Sequence, residues 1–404
     1  MPRIASVTAR VLKSYEYPHG GWVLVRVRTE EGVEGLGECF VPDRFGGGVF
    51  AASELIERRL AQEAVGQEVL ATSVVWERMY DACRRLYDRR GMMIHAVSGI
   101  DMAVHDAAAR TLDIPLCDLL GGRFRERVKV YVSSIWVEPD APDQTFADTR
   151  EYVRQGYGAL KFHGWPGFGR KPARDAAILR ELRAIAGEEV DLMLDLGRPG
   201  SLAEAVQTAR MIEDSGAGIY WWEEPLSSAD DAGNMAALTA RTSVRIAAGE
   251  SDLTAFAFRD LIERRVVDLL QPDLSWVGGL TEGRRIAEMA RLANIPVVPH
   301  NWGTAVNFAA SIHLVAAMPQ GFLCEYPITR REWGDVRVDR PSPMMTELAS
   351  SPVAVEGGFA AVPEGPGLGI ELDEDAVARY TVEAGRGGGK SPAGFRPRAD
   401  NRRR

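Results

Sequence analysis

Cysteine is scarce: the 404 residues include only four, Cys39, Cys83, Cys117 and Cys324, far apart and with no CxxC pair. That argues against a disulfide framework and a thiolate zinc site, and leaves the ordinary role of small core residues. No apolar run approaches the roughly 20 residues a bilayer-spanning helix needs, so no membrane partner is expected. The opening residues, MPRIASVTARVL, lack the basic start, apolar block and small-residue cleavage site of a secretory signal, and a cytoplasmic location is expected. A basic excess is missing too. The formal charge is -9, whereas nucleic-acid binding calls for a basic face.

What is present is an ordinary soluble composition, 46% hydrophobic and 26% charged, in a chain longer than one core usually organises. GWVLVRVRTEEG followed by VEGLGECF reads as a hairpin around Glu30 to Gly32, so an antiparallel sheet opens the protein. From Ala51 to Arg110 the period becomes helical, with Ile100, Val104 and Ala107 recurring at three- and four-residue steps in HAVSGIDMAVHDAAARTLDIP. Sheet then helices predicts an α+β domain over residues 1–127.

From Val128 the rhythm changes again, to β-rich runs alternating with amphipathic helices in units of roughly 25 to 30 residues. The runs are VKVYVSS, GALKFH, VDLMLDLG, GIYWWEEP, VRIAAGES, VVDLLQPDLS, IPVVPHN and GFLCEYP. Near-continuous apolar runs suit parallel strands buried on both faces, and eight of them predict an α/β fold, a (β/α)₈ TIM-type barrel, over residues 128–365. A doubly wound sheet is the competing architecture, but no glycine-rich phosphate loop follows its first strand. Residues 366–384 still carry apolar side chains and are expected to return to the α+β cap. Residues 385–404, rich in Gly, Pro and Arg, are expected to be a disordered tail.

Barrels of this kind place chemistry at the C-terminal ends of strands, and each run here stops on a polar residue. The second ends in Lys161 and His163, two apart and so on one face. The third ends in Asp195, the fourth in Glu223 and Glu224, the fifth in Glu250, the sixth in Asp273, the seventh in His300 and the eighth in Glu325. Any one acid could be a rim salt bridge. Three at consecutive strand ends, Asp195, Glu223 and Glu250, would repel one another unless a cation sat between them, and all-oxygen ligation suits Mg²⁺ better than zinc. Asp273 and His300 end neighbouring strands, where the carboxylate could fix the imidazole tautomer and prepare a general base. His95, His105 and His313 fall in helical stretches and read as structural.

The ordered set SGIDMAVHDAAARTLDIPLCDLLGG, KFH, LMLD, WWEEP, IAAGES, LLQPDLSWVGGLTE, VVPHN and CEYP resembles the mandelate racemase group of the enolase superfamily, over residues 1 to 383. The resemblance implies an enzyme that removes the proton next to a substrate carboxylate, with Asp195, Glu223 and Glu250 as Mg²⁺ ligands and Glu224 as the non-ligating carboxylate of the EEP turn. It implies His300 and Asp273 as the catalytic dyad. Lys161 would bind the substrate carboxylate, and Glu325 would be a protonated acid hydrogen-bonded to the developing enediolate. Two departures stand out. The usual Lys-x-Lys ends here in His163, a base, acid or hydrogen-bond donor, and Leu196-Gly197 replaces a segment where many relatives place an Asn.

The favoured reaction is dehydration of an acid sugar to a 2-keto-3-deoxy acid. The alternatives are a racemase or epimerase returning the proton from His163, and a barrel that binds Mg²⁺ without catalysis. A lactone-forming or decyclising isomerase is disfavoured, because relatives of that kind carry a lysine where this chain has Ser275 and Trp276. Loops holding Tyr15, Tyr17, His19 and Trp22, then Asp43, Arg44 and Phe45, lie where relatives determine substrate; His19, Arg44 and Trp22 are named as substrate contacts. The expected partner is a small-molecule carboxylate, a sugar acid, and the resemblance implies a homo-oligomer, dimer or octamer.

Overall fold

The computed structural model describes residues 1–404 apart from 14–20, 42–46, 87, 166, 197–199, 229, 334–335 and 384–404. Largely buried β-branched and apolar runs build the first sheet: β1 (Ile4–Leu12), β2 (Gly21–Thr29) and β3 (Glu34–Val41) pair antiparallel in the order β1-β2-β3. The β2–β3 turn falls at Glu30 to Gly32. Thr29 N–H donates to Val33 O at 2.9 Å, and Gly32 takes a φ of 87°, open to glycine without a Cβ penalty. There follow α1 (Gly48–Glu54), a π-helical turn (Leu55–Leu60), α2 (Ala61–Ala64), α3 (Thr72–Arg85), α4 (Met92–Thr111) and α5 (Leu116–Leu119).

Strands and helices then alternate: β4 (Arg127–Trp136), α6 (Asp143–Arg154), β5 (Ala159–His163), α7 (Pro172–Ala186), β6 (Asp191–Asp195), α8 (Leu202–Asp214), β7 (Ile219–Glu223) and α9 (Ala232–Thr239). The series continues with β8 (Ile246–Ala248), α10 (Thr254–Glu263), β9 (Leu269–Leu270), α11 (Gly279–Leu292), α12 (Ala305–Ala317) and β10 (Leu323–Trp333). The path β10-β4-β5-β6-β7-β8-β9 is parallel throughout. The seventh run of the sequence joins β9 only through the bridges Leu270–Val297 and Asp273–His300, because Pro296 and Pro299 have no N–H to give to a ladder. The eighth strand runs on past its expected end into a hairpin with β11 (Val336–Pro341). After α13 (Pro343–Thr346), β12 (Val355–Glu356) and β13 (Phe359–Ala361) form a second hairpin, and β13 pairs antiparallel with the start of β4.

One inward side chain from each of the eight runs, Tyr131, Ala159, Met193, Trp221, Ala247, Leu269, Val298 and Leu323, meets in a fully buried apolar layer inside the barrel. This layer sets the position of the chemistry. On a strand the next residue of the same face lies two further on, and those residues are Ser133, Lys161, Asp195, Glu223, Gly249, Gln271, His300 and Glu325.

The α+β part is locked to the barrel through α4, which is buried on nearly every side because it lies between β2, β3 and α11. Its few polar residues cross the boundary. Ser98 Oγ accepts from Gly278 N–H (2.8 Å), and Asp101 accepts from the N–H (2.9 Å) and hydroxyl (2.6 Å) of Thr281 at the start of α11, where an acidic group also complements the helix dipole. Asp106 accepts from Leu36 N–H (2.7 Å) and Leu368 N–H (2.6 Å). The last helix, α14 (Glu374–Tyr380), returns the chain to β1, with Lys13 N–H donating to Tyr380 O and Val382 N–H to Val11 O, both at 3.0 Å.

Close approach of β3 to α4 depends on glycine. A Cβ on Gly37 would overlap Gly99 O and Ala103 N, both backbone atoms of the helix. Gly37→Ala is expected to cost about 1–3 kcal/mol, the usual penalty of overpacking where the neighbour is backbone. Thermal denaturation checks this, and an unchanged melting temperature would contradict it.

Candidate active site

The polar residues two to four beyond the apolar layer form a ring with an excess of negative charge. Five carboxylates, Asp195, Glu223, Glu250, Asp273 and Glu325, face one lysine and two histidines, Lys161, His163 and His300.

Lys161 is fully buried, with its ammonium 2.6 Å from Glu223 Oε1, 2.8 Å from Glu325 Oε1 and 3.7 Å from Asp195 Oδ2, above the ring of Tyr131. Burial disfavours its charge, but Glu223 and Glu325 outweigh that and hold the ammonium well above its ordinary pKa. Glu223 also accepts from Trp221 Nε1 (3.0 Å) and Gln271 Nε2 (2.8 Å). Burial pushes its carboxyl up to about 7, and neighbouring Asp195, Glu325 and Glu250 push the same way against Lys161. Asp195 Oδ2 meets His163 Nδ1 at 2.9 Å. Burial opposes its ionisation, yet His163 and Lys161 hold Asp195 well below the usual carboxylate range. The His163 ring stands edge-on to Trp136, centroids 4.7 Å apart.

At the opposite flank His300 Nδ1 donates to Asp273 Oδ2 at 2.6 Å. Asp273 is committed as an acceptor because its other oxygen takes the N–H (2.7 Å) and hydroxyl (2.6 Å) of Ser275, so the shared proton sits on Nδ1 and Nε2 is left facing the ring. Nε2 lies 3.5 Å from Glu250 Oε2 and 3.9 Å from Glu325 Oε2. Burial lowers the basicity of His300, but Glu325, Glu250 and Asp273 overcome it and raise its pKa to about 10. Over the other face of the imidazole lies Trp276, stacked at 5.5 Å and itself stacked on Phe40 and His95.

The donor set fits a hard divalent cation: Asp195, Glu223 and Glu250 supply only oxygen, and they stand among carboxylates in excess of cations. As placed, they turn to His163, Lys161 and His300, and among the described residues no three His, Cys, Asp or Glu side chains close on a common point. Holding a cation there requires these side chains to turn toward one another.

The residues read from the sequence as catalytic or metal-binding come together here, with one difference. Glu325, expected to be protonated, is held below its ordinary pKa: burial favours the acid, but Lys161 and His300 outweigh it. Lys161 lies between Glu223 and Glu325. Trp22 is buried, and its indole N–H donates to Trp302 O at 3.1 Å, tying the sheet to the loop after His300; no face is left for a sugar. His19, Arg44 and the other loop positions named with them, Tyr15, Tyr17, Asp43 and Phe45, lie outside the described residues, as do Gly197 and the tail from 385 onward. Glu224 behaves as the second acid of its turn, at φ 43°, accepting from Gly249 N–H at 2.9 Å. The four cysteines are free and buried.

Sequence reading missed Gln271, Trp221, Asn301, Asn307 and Glu38. Gln271 and Trp221 were findable, since Gln271 lies two residues after Leu269 on the inward face and Trp221 two before Glu223 on one strand; Asn301, Asn307 and Glu38 act across longer sequence separations. His95, read as structural, stacks on Trp276 at 5.7 Å, whereas His105 and His313 bond among the described residues to backbone packed against them, with an ion contact of His105 to Asp101.

Comparison with known proteins places these features in context. Residues 17–121 match the model of the mandelate racemase / muconate lactonizing enzyme N-terminal domain, and residues 144–376 match that of the enolase C-terminal domain-like family. The D-xylonate dehydratase of Haloferax volcanii is 31% identical over 376 residues, covering 90% of this chain and 86% of that protein. The D-galactarolactone cycloisomerase of Agrobacterium fabrum is 30% identical over 372 residues, covering 91% and 93%. Among solved structures, a mandelate racemase/muconate lactonizing enzyme from Sulfitobacter sp. superposes with a TM-score of 0.82 at 27% identity, covering 96% of this chain and 97% of that one.

Proposed function

Because the chain belongs to the mandelate racemase / muconate lactonizing enzyme family of the enolase superfamily, we propose that it is a Mg²⁺-dependent acid sugar dehydratase, with a small sugar carboxylate as substrate. The observation that carries this reading is the His300–Asp273 pair, its Nε2 facing a ring of carboxylates beside a buried lysine.

Asp195, Glu223 and Glu250 would hold the cation, which when bound supplies the positive charge that an enediolate needs. Glu250, whose charge helps keep the imidazole protonated, would have that charge offset by the cation; once neutral, His300 Nε2 takes the proton from the carbon next to the carboxylate, while Asp273 keeps the proton on Nδ1 and stabilises the imidazolium that results. The C–H electron pair moves into the carboxylate, giving the enediolate. Its collapse expels the neighbouring hydroxyl, which leaves as water after taking the proton from His300, and the enol tautomerises to the 2-keto-3-deoxy acid. Lys161 and Glu325, 2.8 Å apart, form the charged flank on which the carboxylate is oriented. His163 is a second ionisable group at the end of β5, and its presence keeps an epimerase, with the proton returned from His163, as the second reading.

Dehydration is preferred to the cycloisomerisation named for the Agrobacterium relative, because the position after Ser275 is Trp276. Its indole N–H is committed to Phe40 O at 2.7 Å, and it offers no ammonium.

The test is a screen of purified protein with Mg²⁺ against mono- and diacid sugars, reading 2-keto-3-deoxy products by semicarbazide absorbance, repeated in D₂O with mass detection. One acid should give product, and EDTA should abolish turnover until Mg²⁺ is restored. Deuterium entering the α-position without keto product would replace dehydration by epimerisation. Neither signal with any acid would overturn both.

A further inference from the structure

A buried polar chain connects the antiparallel sheet to the dyad, and its outer end is Glu38 on β3. Glu38 is fully buried. One carboxylate oxygen accepts from Thr304 N–H at 3.0 Å, and the other accepts from the Thr304 hydroxyl and from Asn307 N–H (3.3 Å), so Glu38 seizes the first turn of α12. That turn carries the side chain of Asn307 inward. Its amide donates to Asp273 Oδ1 at 3.4 Å and to Asn301 Oδ1 at 2.9 Å. Asn301, next to His300, donates its N–H to Glu325 Oε2 at 2.7 Å. Burial pushes the Glu38 carboxyl up against the donors of Thr304 and Asn307, a cost that a purely apolar contact between sheet and barrel would not carry.

We propose that Glu38 is a positioning residue: by fixing the start of α12 it sets Asn307 and Asn301, and through them the orientation of Asp273, His300 and Glu325. Seating of the α+β cap thereby becomes a condition for the dyad's geometry. The bonds are short-range and directional, and proton transfer is sensitive to displacements of about 1 Å, for which rate losses near 100-fold are typical. The inference rests on the reading of His300 and Asp273 as the acid–base pair.

The experiment compares wild type with Glu38→Gln, which keeps the size but replaces one acceptor oxygen with a donor, so that Asn307 N–H or Thr304 loses its partner. Steady-state kinetics on the acid found by the screen should show kcat reduced about 10- to 100-fold with KM within about twofold. The low-field proton resonance of the short His300 Nδ1–H bond should broaden or vanish, while circular dichroism stays native. A folded variant with wild-type kcat and an intact low-field proton overturns the proposal, as does a lowered melting temperature with kcat unchanged well below it. If Glu38→Gln does not fold, Asn307→Ser, which leaves Glu38 its backbone donors and cuts the links to Asp273 and Asn301, is judged by the same readouts. If wild type turns over no acid, the functional reading fails by itself, and the low-field proton in the variants still decides whether Glu38 sets the dyad.

Discussion

His300→Asn is expected to give a folded protein whose dehydratase turnover falls by at least about 100-fold and as much as ~10⁴-fold, the range lost when a positioned general base is removed. Asn is chosen because its amide can donate to Asp273 Oδ2 in place of Nδ1–H, so that the buried carboxylate keeps its partner and the loss reports chemistry rather than folding. The same variant should fail to wash deuterium into the α-position. Wild-type exchange in D₂O with His300→Asn would transfer the base role to His163 and turn the mechanism around the ring.

Lys161→Met carries the largest expected effect on stability. Lys161 is enclosed between Glu223 and Glu325 at 2.6 Å and 2.8 Å, with all three side chains buried. Removing one partner of a buried ion pair leaves an uncompensated charge and typically costs about 3–5 kcal/mol. Here two carboxylates are stranded together, and methionine restores the volume but none of the charge. Urea denaturation monitored by fluorescence reads the loss. The double variant Lys161→Met/Glu325→Gln, in which one of the stranded charges is gone, should recover at least about 1 kcal/mol of it. Equal stability of Lys161→Met and wild type would mean that the ammonium is not needed where the structure places it.

Much of this site was legible in the sequence because a barrel strand is a short apolar run with a definite end. Lys161, Asp195, Glu223, His300 and Glu325 announce themselves as the residues on which such runs stop, and period-two alternation explains why they share the inward face. Glu250 and Asp273 lie one and two residues beyond Gly249 and Gln271, the inward positions of their strands, since those strands are short and turn early. What could not be read was whatever depends on contacts between distant segments. Glu38 meets Thr304 and Asn307 across more than 260 residues, and nothing in LGECF distinguishes it from a surface acid. The ionisation of Glu325 was out of reach for the same reason: the resemblance implied a neutral acid, whereas the neighbouring Lys161 ammonium, supplied by a different strand, draws its pKa down. Trp22 looked like a sugar platform because aromatics on loops often are, and only the fold shows its N–H spent on Trp302 O.

The layer formed by Tyr131, Trp221, Met193 and their five partners has a consequence for traffic. It is a stopper: with every member buried, the barrel is closed from below. Whatever the chemistry generates must leave on the side by which the substrate entered. Entry and departure therefore share one passage, and a molecule still leaving holds off the next one arriving.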